Sequence, residues 1–182
     1  MINNGDLLIS TPDSLGDYYF SRSIIILTEV SKEEVVGFII NKQLNYTISD
    51  LDDRVLKKGI KIFSGGPVNQ DNLYFIHKYP DSIDNSINFV NDLYWGGDFK
   101  KSIETINKMN IDNPSIKFFS GYSGWTYDQL IDEINNGSWV VKKNRANTLF
   151  KKDIKKMWGE NIKKIDEKFK IWSNAPDNPQ NN

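Results

Sequence analysis

Two adjacent runs of β-branched residues constrain the fold of this chain more than any other feature. Residues 22–30 (RSIIILTEV) and 34–42 (EVVGFIINK) are separated only by the polar residues 31–33 (SKE). Two such runs joined by a short polar connection predict a β-hairpin. Their nearly continuous Ile and Val content indicates strands that are buried on both faces. We therefore expect this hairpin to lie inside a sheet that is covered on both sides.

Shorter patterns predict the remaining elements. Strands are expected over residues 6–11, 61–67, 72–78, 86–92, 115–122 and 138–143, with 61–67 and 72–78 forming a second hairpin. Helices are expected over 47–59, capped by Thr47 or Ser49 and ended by Gly59, over 98–110, capped by Asp98, and over 127–136, ended by Gly137. A last helix over 153–172 places these residues on one face: Ile154, Trp158, Ile162, Ile165, Phe169 and Trp172.

Strands outnumber helices, and hairpins are combined with a late strand–helix–strand unit, which predicts a mixed α/β (α+β) fold. The length of 182 residues suits a single domain. We place this domain at residues 1–172 and expect residues 173–182 (SNAPDNPQNN) to form a polar, disordered tail.

The composition excludes several classes of protein. The chain has no cysteine and one histidine, His77, which excludes disulfides, thiolate nucleophiles and Cys-based metal sites. The 23 basic and 24 acidic residues give a net charge of −1, which argues against nucleic-acid binding as the main activity. No signal peptide or membrane span is recognisable. We expect a cytoplasmic protein without a cofactor, a metal ion or a membrane partner, either monomeric or weakly homo-oligomeric.

The segment 118–134 (FFSGYSGWTYDQLIDEI) is the strongest candidate for chemistry. Residues 121–125 (GYSGW) resemble the Gly-x-Ser-x-Gly elbow of hydrolases, but Trp125 stands where the last glycine belongs and His77 precedes Ser123. The segment fits better as a tight turn from a strand into a helix. Thr126 and Gln129 then form a capping box, and Trp125 and Leu130 a hydrophobic staple. A hydrolase that uses Ser123 or Ser10 with His77 remains an alternative.

The last predicted helix supports a second alternative. Residues 151–172 carry eight lysines and four acidic residues, which gives a local charge of 8 − 4 = +4. With interleaved Trp and Phe, this surface could contact nucleic acid as part of a transcriptional regulator. A solvated lysine face around an apolar seam explains the same pattern without any ligand.

Four stretches in the same order resemble the YqgE/AlgH family of bacterial proteins. They are residues 5–29 (GDLLISTPDSLGDYYFSRSIIILTE), 37–42 (GFIINK), 63–77 (FSGGPVNQDNLYFIH) and 121–141 (GYSGWTYDQLIDEINNGSWVV). Val30 and Gln43 depart from the family, which commonly has His and Pro there. The resemblance implies a curved, mixed β-sheet flanked by helices. Some members carry the label of transcriptional regulator, which no DNA-binding motif in this chain supports.

The resemblance places many matching residues in loops, where binding sites usually lie. We therefore expect a non-enzymatic protein that binds a small molecule or a protein partner and acts in regulation, with Arg22 contacting an anion and Trp125 forming an apolar wall. The candidate binding residues are Ser10, Thr11, Asp17, Arg22, Asn41, Gly65, Gly66, His77, Gly121, Gly124, Trp125 and Gln129.

Overall fold

Ten strands and four α-helices form the part of the chain that the computed structural model describes, which is residues 1–14, 16–108, 115–143, 148–150 and 153–174. The strands are β1 (Leu7–Ser10), β2 (Ile24–Val30), β3 (Glu34–Ile39), β4 (Gln43–Thr47), β5 (Lys61–Ser64), β6 (Val68–His77), β7 (Ile87–Val90), β8 (Leu93–Trp95), β9 (Ile116–Thr126) and β10 (Trp139–Lys142). The helices are α1 (Phe99–Lys108), α2 (Tyr127–Asn135), α3 (Ile154–Ile162) and α4 (Lys170–Asn174).

The strands form one curved sheet in the order β10-β1-β2-β3-β9-β6-β8-β7. Neighbours on this path are antiparallel, whereas β5 joins β9 in parallel and carries β4 on its other edge. The strand β7 at the end of the path lies against β2. Gly5 permits this approach, because a Cβ atom there would lie 2.7 Å from a methyl group of Val90. The predicted mixed α/β (α+β) class, with a curved mixed sheet flanked by helices, is confirmed.

The long strand β9 changes partner along one of its edges. Residues 118–120 pair with β5, and residues 123–126 pair with β3. On the opposite edge, residues 116–120 and Tyr122 pair with β6, with a register shift between them. We call the point of exchange, formed by Gly65, Gly66 and residues 121–123, the fork. It joins a first half of the sheet (β10, β1, β2 and β3) to a second half (β4 to β8).

Three apolar clusters stabilise the sheet. The inner cluster combines residues from both halves of the sheet, such as Ile24 and Phe119, with Met157, Trp158 and Ile162 of α3. The α1 cluster covers the other face of the second half, where Ile103 and Ile106 of α1 are buried. The α2 cluster covers the other face of the first half and includes Trp125, Leu130 and Trp139. Both faces of the β2–β3 hairpin are therefore buried, as its Ile and Val content predicts.

Three predicted elements before α2 differ from the structure. The helix over 47–59 is wrong: only Ile48–Asp50 forms a 3₁₀ turn, and Leu51, which a helix would place on the same face as Ile48 and Val55, is 54% exposed. The hairpin of 61–67 with 72–78 is also wrong, since β9 lies between β5 and β6. The turn at 121–125 is wrong as well, because β9 continues through these residues to Thr126.

The predicted helix over 153–172 is interrupted. The helix α3 ends at Ile162, turns follow, and a 3₁₀ turn at Glu167–Phe169 leads into α4. The apolar face is kept across the interruption, because Ile165 and Phe169 still pack on the inner cluster. Trp172 is partly exposed instead of buried. The helix α4 reaches Asn174, whereas residues 175–182 of the predicted tail and Met109 of the predicted 98–110 helix lie outside the described residues.

Candidate functional site

The loop of residues 16–23 connects β1 to β2 and is fixed by its own polar groups. The Oδ1 atom of Asp17 accepts hydrogen bonds from the backbone N–H groups of Tyr19 and Phe20, both at 2.7 Å. The hydroxyl of Ser23 donates to the Phe20 carbonyl oxygen at 2.8 Å. An aspartate that accepts hydrogen bonds from the backbone N–H groups two and three residues later stabilises a turn locally.

Side chains of β1 and of the connection between β3 and β4 fix the same loop from outside. The Oγ atom of Ser10 accepts from the Ser23 N–H at 2.9 Å. Asn41 donates to the Arg22 carbonyl oxygen at 2.9 Å and accepts from the Ile24 N–H at 2.8 Å. The Nζ atom of Lys42 donates to the Tyr19 carbonyl oxygen at 2.5 Å. Three of the predicted site residues, Ser10, Asp17 and Asn41, therefore use their polar atoms to position this loop.

Phe20 anchors the loop in the α2 cluster. Its ring stacks on Trp125 at a centroid distance of 5.7 Å and meets Trp139 edge-on at 5.3 Å. The indole N–H groups of Trp125 and Trp139 both donate to Oε2 of Glu133, at 3.0 and 2.7 Å. Gln129 donates to the other carboxylate oxygen at 3.0 Å. One carboxylate of α2 thus joins the two indoles on which the loop rests.

The predicted cap of α2 is half confirmed. The Thr126 hydroxyl accepts from the Gln129 N–H at 3.2 Å, as a capping residue should. The side chain of Gln129 does not complete the capping box, because it donates to Glu133. Trp125 and Leu130 are both buried in the α2 cluster, as a hydrophobic staple requires. At the other end of α2, the carbonyl oxygen of Gly137 accepts from the Thr11 hydroxyl at 2.7 Å.

Arg22 and Trp125 do not line one site, contrary to the expectation from sequence. The guanidinium carbon of Arg22 lies 5.5 Å from the ring centroid of Trp158, which belongs to the inner cluster. Trp125 belongs to the α2 cluster on the opposite face of the sheet. Arg22 is also the loop residue with a left-handed backbone, at φ +52°. A residue other than glycine adopts this conformation uncommonly.

Tyr18 is the exposed residue of this otherwise anchored loop. Its side chain is 87% exposed, and its ring meets that of Tyr19 edge-on at a centroid distance of 5.1 Å. Gly16 and Asp17 are exposed beside it. We call Gly16, Asp17, Tyr18 and Tyr19 the Tyr18 surface. Here a large aromatic side chain is presented to solvent by a loop whose backbone several hydrogen bonds hold in place.

The predicted glycines meet at the fork, where the backbones approach too closely for side chains. A Cβ atom on Gly65 would lie 2.1 Å from the Gly121 carbonyl oxygen. A Cβ atom on Gly66 would lie 2.3 Å from Oγ of Ser123. That hydroxyl donates to the Gly65 carbonyl oxygen at 3.0 Å. Gly121, Gly65 and Gly66 therefore permit the exchange of strands, while Gly124 pairs with Val36 in the sheet.

His77 lies apart from both regions and is fully used by the backbone. Its Nδ1 accepts from the Tyr79 N–H at 3.0 Å, so Nε2 carries the proton and donates to the Gly96 carbonyl oxygen at 3.3 Å. Burial lowers the pKa of His77 below its usual value of 6.5. Both ring nitrogens are engaged by backbone groups, so neither is directed to Ser10 or Ser123. The hydrolase alternative thus lacks a serine–imidazole contact within the described residues.

Comparison with known proteins identifies the family. A family model described as AlgH-like matches residues 7–170. The chain belongs to the AlgH-like family. A UPF0301 protein of Cytophaga hutchinsonii is 35% identical over all of both chains, and UPF0301 protein BF2109 of Bacteroides fragilis is 36% identical over 100% of this chain and 92% of its own. The resemblance inferred from the four sequence stretches is therefore confirmed.

Solved structures show the same AlgH-like fold. A crystal structure of a protein from Corynebacterium diphtheriae matches with a TM-score of 0.76 and 20% identity, covering 96% of this chain and 93% of that one. The solution structure of the AlgH protein from Pseudomonas aeruginosa matches with a TM-score of 0.64 and 20% identity, over 81% and 80% of the two chains. At this identity the likeness supports the overall architecture alone.

The AlgH-like chain thus divides its predicted site residues among three places. Ser10, Thr11, Asp17, Arg22, Asn41, Trp125 and Gln129 surround the 16–23 loop or its support, the four glycines lie at or near the fork, and His77 stands alone. Sequence reasoning missed Phe20, Lys42, Glu133 and Trp139, although all four belong to family-matching stretches. Within the described ranges, no group of three or more His, Cys, Asp or Glu side chains could hold a metal ion, and no helix is long and apolar enough to cross a membrane.

Proposed function

We propose that this AlgH-like protein binds another protein through the Tyr18 surface and regulates it without catalysing a reaction. The observation that carries this proposal is the contrast within one loop. Tyr18 is 87% exposed, whereas the residues that follow it are fixed by Asp17, Ser10, Asn41 and Lys42. A loop that is already ordered loses little conformational entropy on binding.

Tyrosine suits this role. Tyr, Trp and Arg dominate the binding energy of protein interfaces, since they combine a large apolar area with a polar group. Tyr18 has the same advantage and has few rotatable bonds to immobilise. The partner should therefore offer a pocket lined by apolar or aromatic side chains, with a hydrogen-bond acceptor or donor for the phenol.

A protein partner is favoured over a small molecule. Small molecules bind in concave sites that cover most of their surface, lined by a few converging polar groups. Here Ser10, Asp17 and Asn41 are directed at backbone atoms of the loop, and Tyr18 extends into solvent. The pattern fits a surface that enters a pocket on another molecule.

The lysine-rich segment of the nucleic-acid alternative is not one continuous helix. The structure interrupts the predicted 153–172 helix after Ile162. Two of its lysines form ion pairs on their own segment, Lys156 with Asp153 at 3.5 Å and Lys170 with Glu167 at 2.6 Å. This alternative remains a prediction that gel-shift measurements on the four-fold variant of Lys155, Lys156, Lys163 and Lys164 can test.

Site-specific photo-cross-linking tests the proposal. A photoreactive phenylalanine analogue is placed at Tyr18, or at Leu56 as a control that is 78% exposed in another segment. Each protein is irradiated in native cell extract. We expect one cross-linked protein for position 18 that is absent for position 56. An excess of unlabelled wild-type protein should abolish this product, and an excess of Tyr18→Ala protein should not. Equal competition by both proteins, or no saturable product at position 18, overturns the proposal.

A further inference from the structure

Lys117 is a buried amine that the binding surface does not use. It lies in the second residue of β9, with a side chain 6% exposed, and points into the inner cluster. Its Nζ donates to the Ile40 carbonyl oxygen at 2.6 Å and to the Leu149 carbonyl oxygen at 3.2 Å. The same atom lies 3.7 Å from the ring centroid of Phe63. An ammonium group in such surroundings is costly unless its protons are matched by acceptors.

Both carbonyl groups lie where regular pairing ends. Ile40 directly follows β3, at the point where the chain departs from the sheet path beside β9. Leu149 lies in the segment 148–150, which is part of no strand or α-helix. Buried carbonyl groups outside the hydrogen-bond ladders need other donors, and Lys117 supplies them here. One amine therefore connects β9, the end of β3 and the 148–150 segment.

The 148–150 segment covers the inner cluster at this place. The side chain of Leu149 is fully buried in the cluster, and Phe150 packs against it. Lys78 directly follows β6, the strand that pairs with β9. Its Nζ atom lies 5.9 Å from the Phe150 ring centroid. Displacement of this segment would bring Lys117 into contact with water.

We propose that the 148–150 segment is a displaceable cover over the Lys117 amine, and that its closure is coupled to the protonation of that amine. A neutral amine has two N–H donors, which is the number of carbonyl acceptors, so it can remain buried with both bonds made. The ammonium has a third donor, which faces the Phe63 ring, and its full charge is better solvated by water. The bond to Leu149 is the longer of the two and is the one that opening breaks.

Of the carboxylates in the described residues, none offsets the charge of Lys117. On the β6 side, Lys78 pairs with Asp92 at 2.8 Å, and His77 points to the opposite face of the sheet, where it stacks on Tyr94. On the α3 side, Arg22 lies over Trp158. Burial is accordingly the cause that lowers the pKa of Lys117 to about 7.

The direction of the coupling follows from these protonation states. With the cover open, Lys117 is hydrated and regains an ordinary pKa of about 10.4. Between about pH 7 and 10 the closed state therefore binds fewer protons than the open state, so a rise in pH favours closure. As pH falls through this window, the ratio of open to closed molecules should increase by up to about tenfold per pH unit. Below about pH 7 both states are protonated, and the ratio becomes constant.

Thiol labelling can measure this opening, because the natural chain has no cysteine. The variant Leu149→Cys carries a thiol that reacts when the cover opens, and Leu56→Cys carries one at a position that is 78% exposed. The ratio of their labelling rates removes the effect of pH on the thiol itself. We expect this ratio to rise as pH falls from about 9.5 to about 7, by up to about tenfold per unit. In the Lys117→Met background it should not change with pH.

Two results would overturn the proposal: a ratio that is independent of pH, or an equal slope with and without Lys117. Circular dichroism establishes that each variant is folded. If Leu149→Cys or Lys117→Met does not fold, hydrogen exchange of the Leu149 amide in the unmodified protein replaces the labelling. Its protection factor, corrected for the intrinsic exchange rate, should decrease as pH falls over the same window. A constant protection factor refutes the coupling.

Discussion

Gly65 and Ser123 are joined by a hydrogen bond at the point where the sheet divides. The Gly65 carbonyl oxygen accepts from the Ser123 hydroxyl at 3.0 Å and from the Ile39 N–H at 2.9 Å. The Gly65 N–H in turn donates to the Ser120 carbonyl oxygen at 2.8 Å. Gly65 thus bonds to both β9 and β3, at the point where β9 exchanges β5 for β3 as its partner. The architecture of the fork accounts for the family-matching glycines Gly65, Gly66 and Gly121 and for Ser123. No chemical reaction has to be invoked to explain these residues.

The fork should not tolerate a side chain at Gly65. The Cβ of Gly65→Ala would lie 2.1 Å from the Gly121 carbonyl oxygen, and both atoms belong to backbone that the sheet fixes. We expect this variant to lose about 3 kcal/mol of unfolding free energy or more. Urea denaturation measures the loss. The control is Gly16→Ala, where a Cβ atom meets nothing within 4 Å, and its stability should remain within about 0.5 kcal/mol. Equal stability of the two variants would contradict the steric account.

The carboxylate of Glu133 should stabilise the support of the 16–23 loop. Glu133→Ala leaves the indole N–H groups of Trp125 and Trp139 without their shared acceptor. A buried donor without a partner costs about 1–3 kcal/mol, so we expect a loss of about 2–4 kcal/mol for the pair. Glu133→Gln keeps an acceptor oxygen and should lose less. The exposed neighbour serves as a control, with Asp132→Ala expected to be nearly neutral. Urea denaturation followed by tryptophan fluorescence compares the three variants, and a Glu133→Ala loss no larger than that of Asp132→Ala would refute this role.

Stability should decrease in mild acid because of His77. Its pKa in the folded state lies below the ordinary 6.5, since the ring is buried and neutral. As pH falls below about 6.5, the unfolded chain gains a proton that the folded chain does not bind, and unfolding becomes easier. The slope reaches at most about 1.4 kcal/mol per pH unit.

The variant His77→Gln isolates this contribution, because His77 is the single histidine of the sequence. Unfolding free energies of the wild type and the variant are measured from about pH 7.5 to about 5. The carboxylates titrate in both proteins, so the difference between the two reports on His77. We expect the advantage of the wild type to shrink as pH falls. An advantage that stays constant over this range would show that the imidazole does not titrate as its burial implies.

The sequence predicted those elements whose pattern is local. The Ile and Val runs of β2 and β3 determine buried strands wherever their neighbours lie, and the Thr126 hydroxyl caps α2 as its position predicts. The fork was missed because it depends on contacts between residues about 60 positions apart, such as Gly65 and Ser123. The glycines at 121 and 124 look like turn residues in the sequence. In the structure both belong to β9, and the backbones of Gly66 and Val68 approach Gly121 closely.

Two further errors have physical reasons. The apolar spacing from Ile154 to Phe169 is kept although the helix stops at Ile162, because the residues after the interruption still pack on the inner cluster. Periodicity alone cannot show such a break. The support of the 16–23 loop was missed because Glu133 and Trp139 are distant from Phe20 in sequence, and their type is common on helices and strands. Tyr18 itself gave no signal, since exposure is a property of the fold.

Tyr18 should contribute to binding and not to stability. Tyr18→Ala removes an exposed side chain, so the unfolding free energy should change by less than about 0.5 kcal/mol. Tyr18→Phe retains the ring and should lose only the contribution of the phenol hydroxyl to the binding free energy. Thermal and urea denaturation check that both variants remain folded. A large loss of stability would mean that the residue belongs to the support of the loop.

The affinity for the partner tests the central claim most directly. The partner is identified by the cross-linking experiment and then purified separately. Titration calorimetry compares the wild type, Tyr18→Ala and the exposed control Leu56→Ala. We expect Tyr18→Ala to raise the dissociation constant by about 30-fold or more. This corresponds to a loss of about 2 kcal/mol or more of binding free energy, as at an interface hot spot. Leu56→Ala should leave the dissociation constant unchanged. A dissociation constant that changes by less than about twofold in Tyr18→Ala would contradict the assignment of the Tyr18 surface as the binding site.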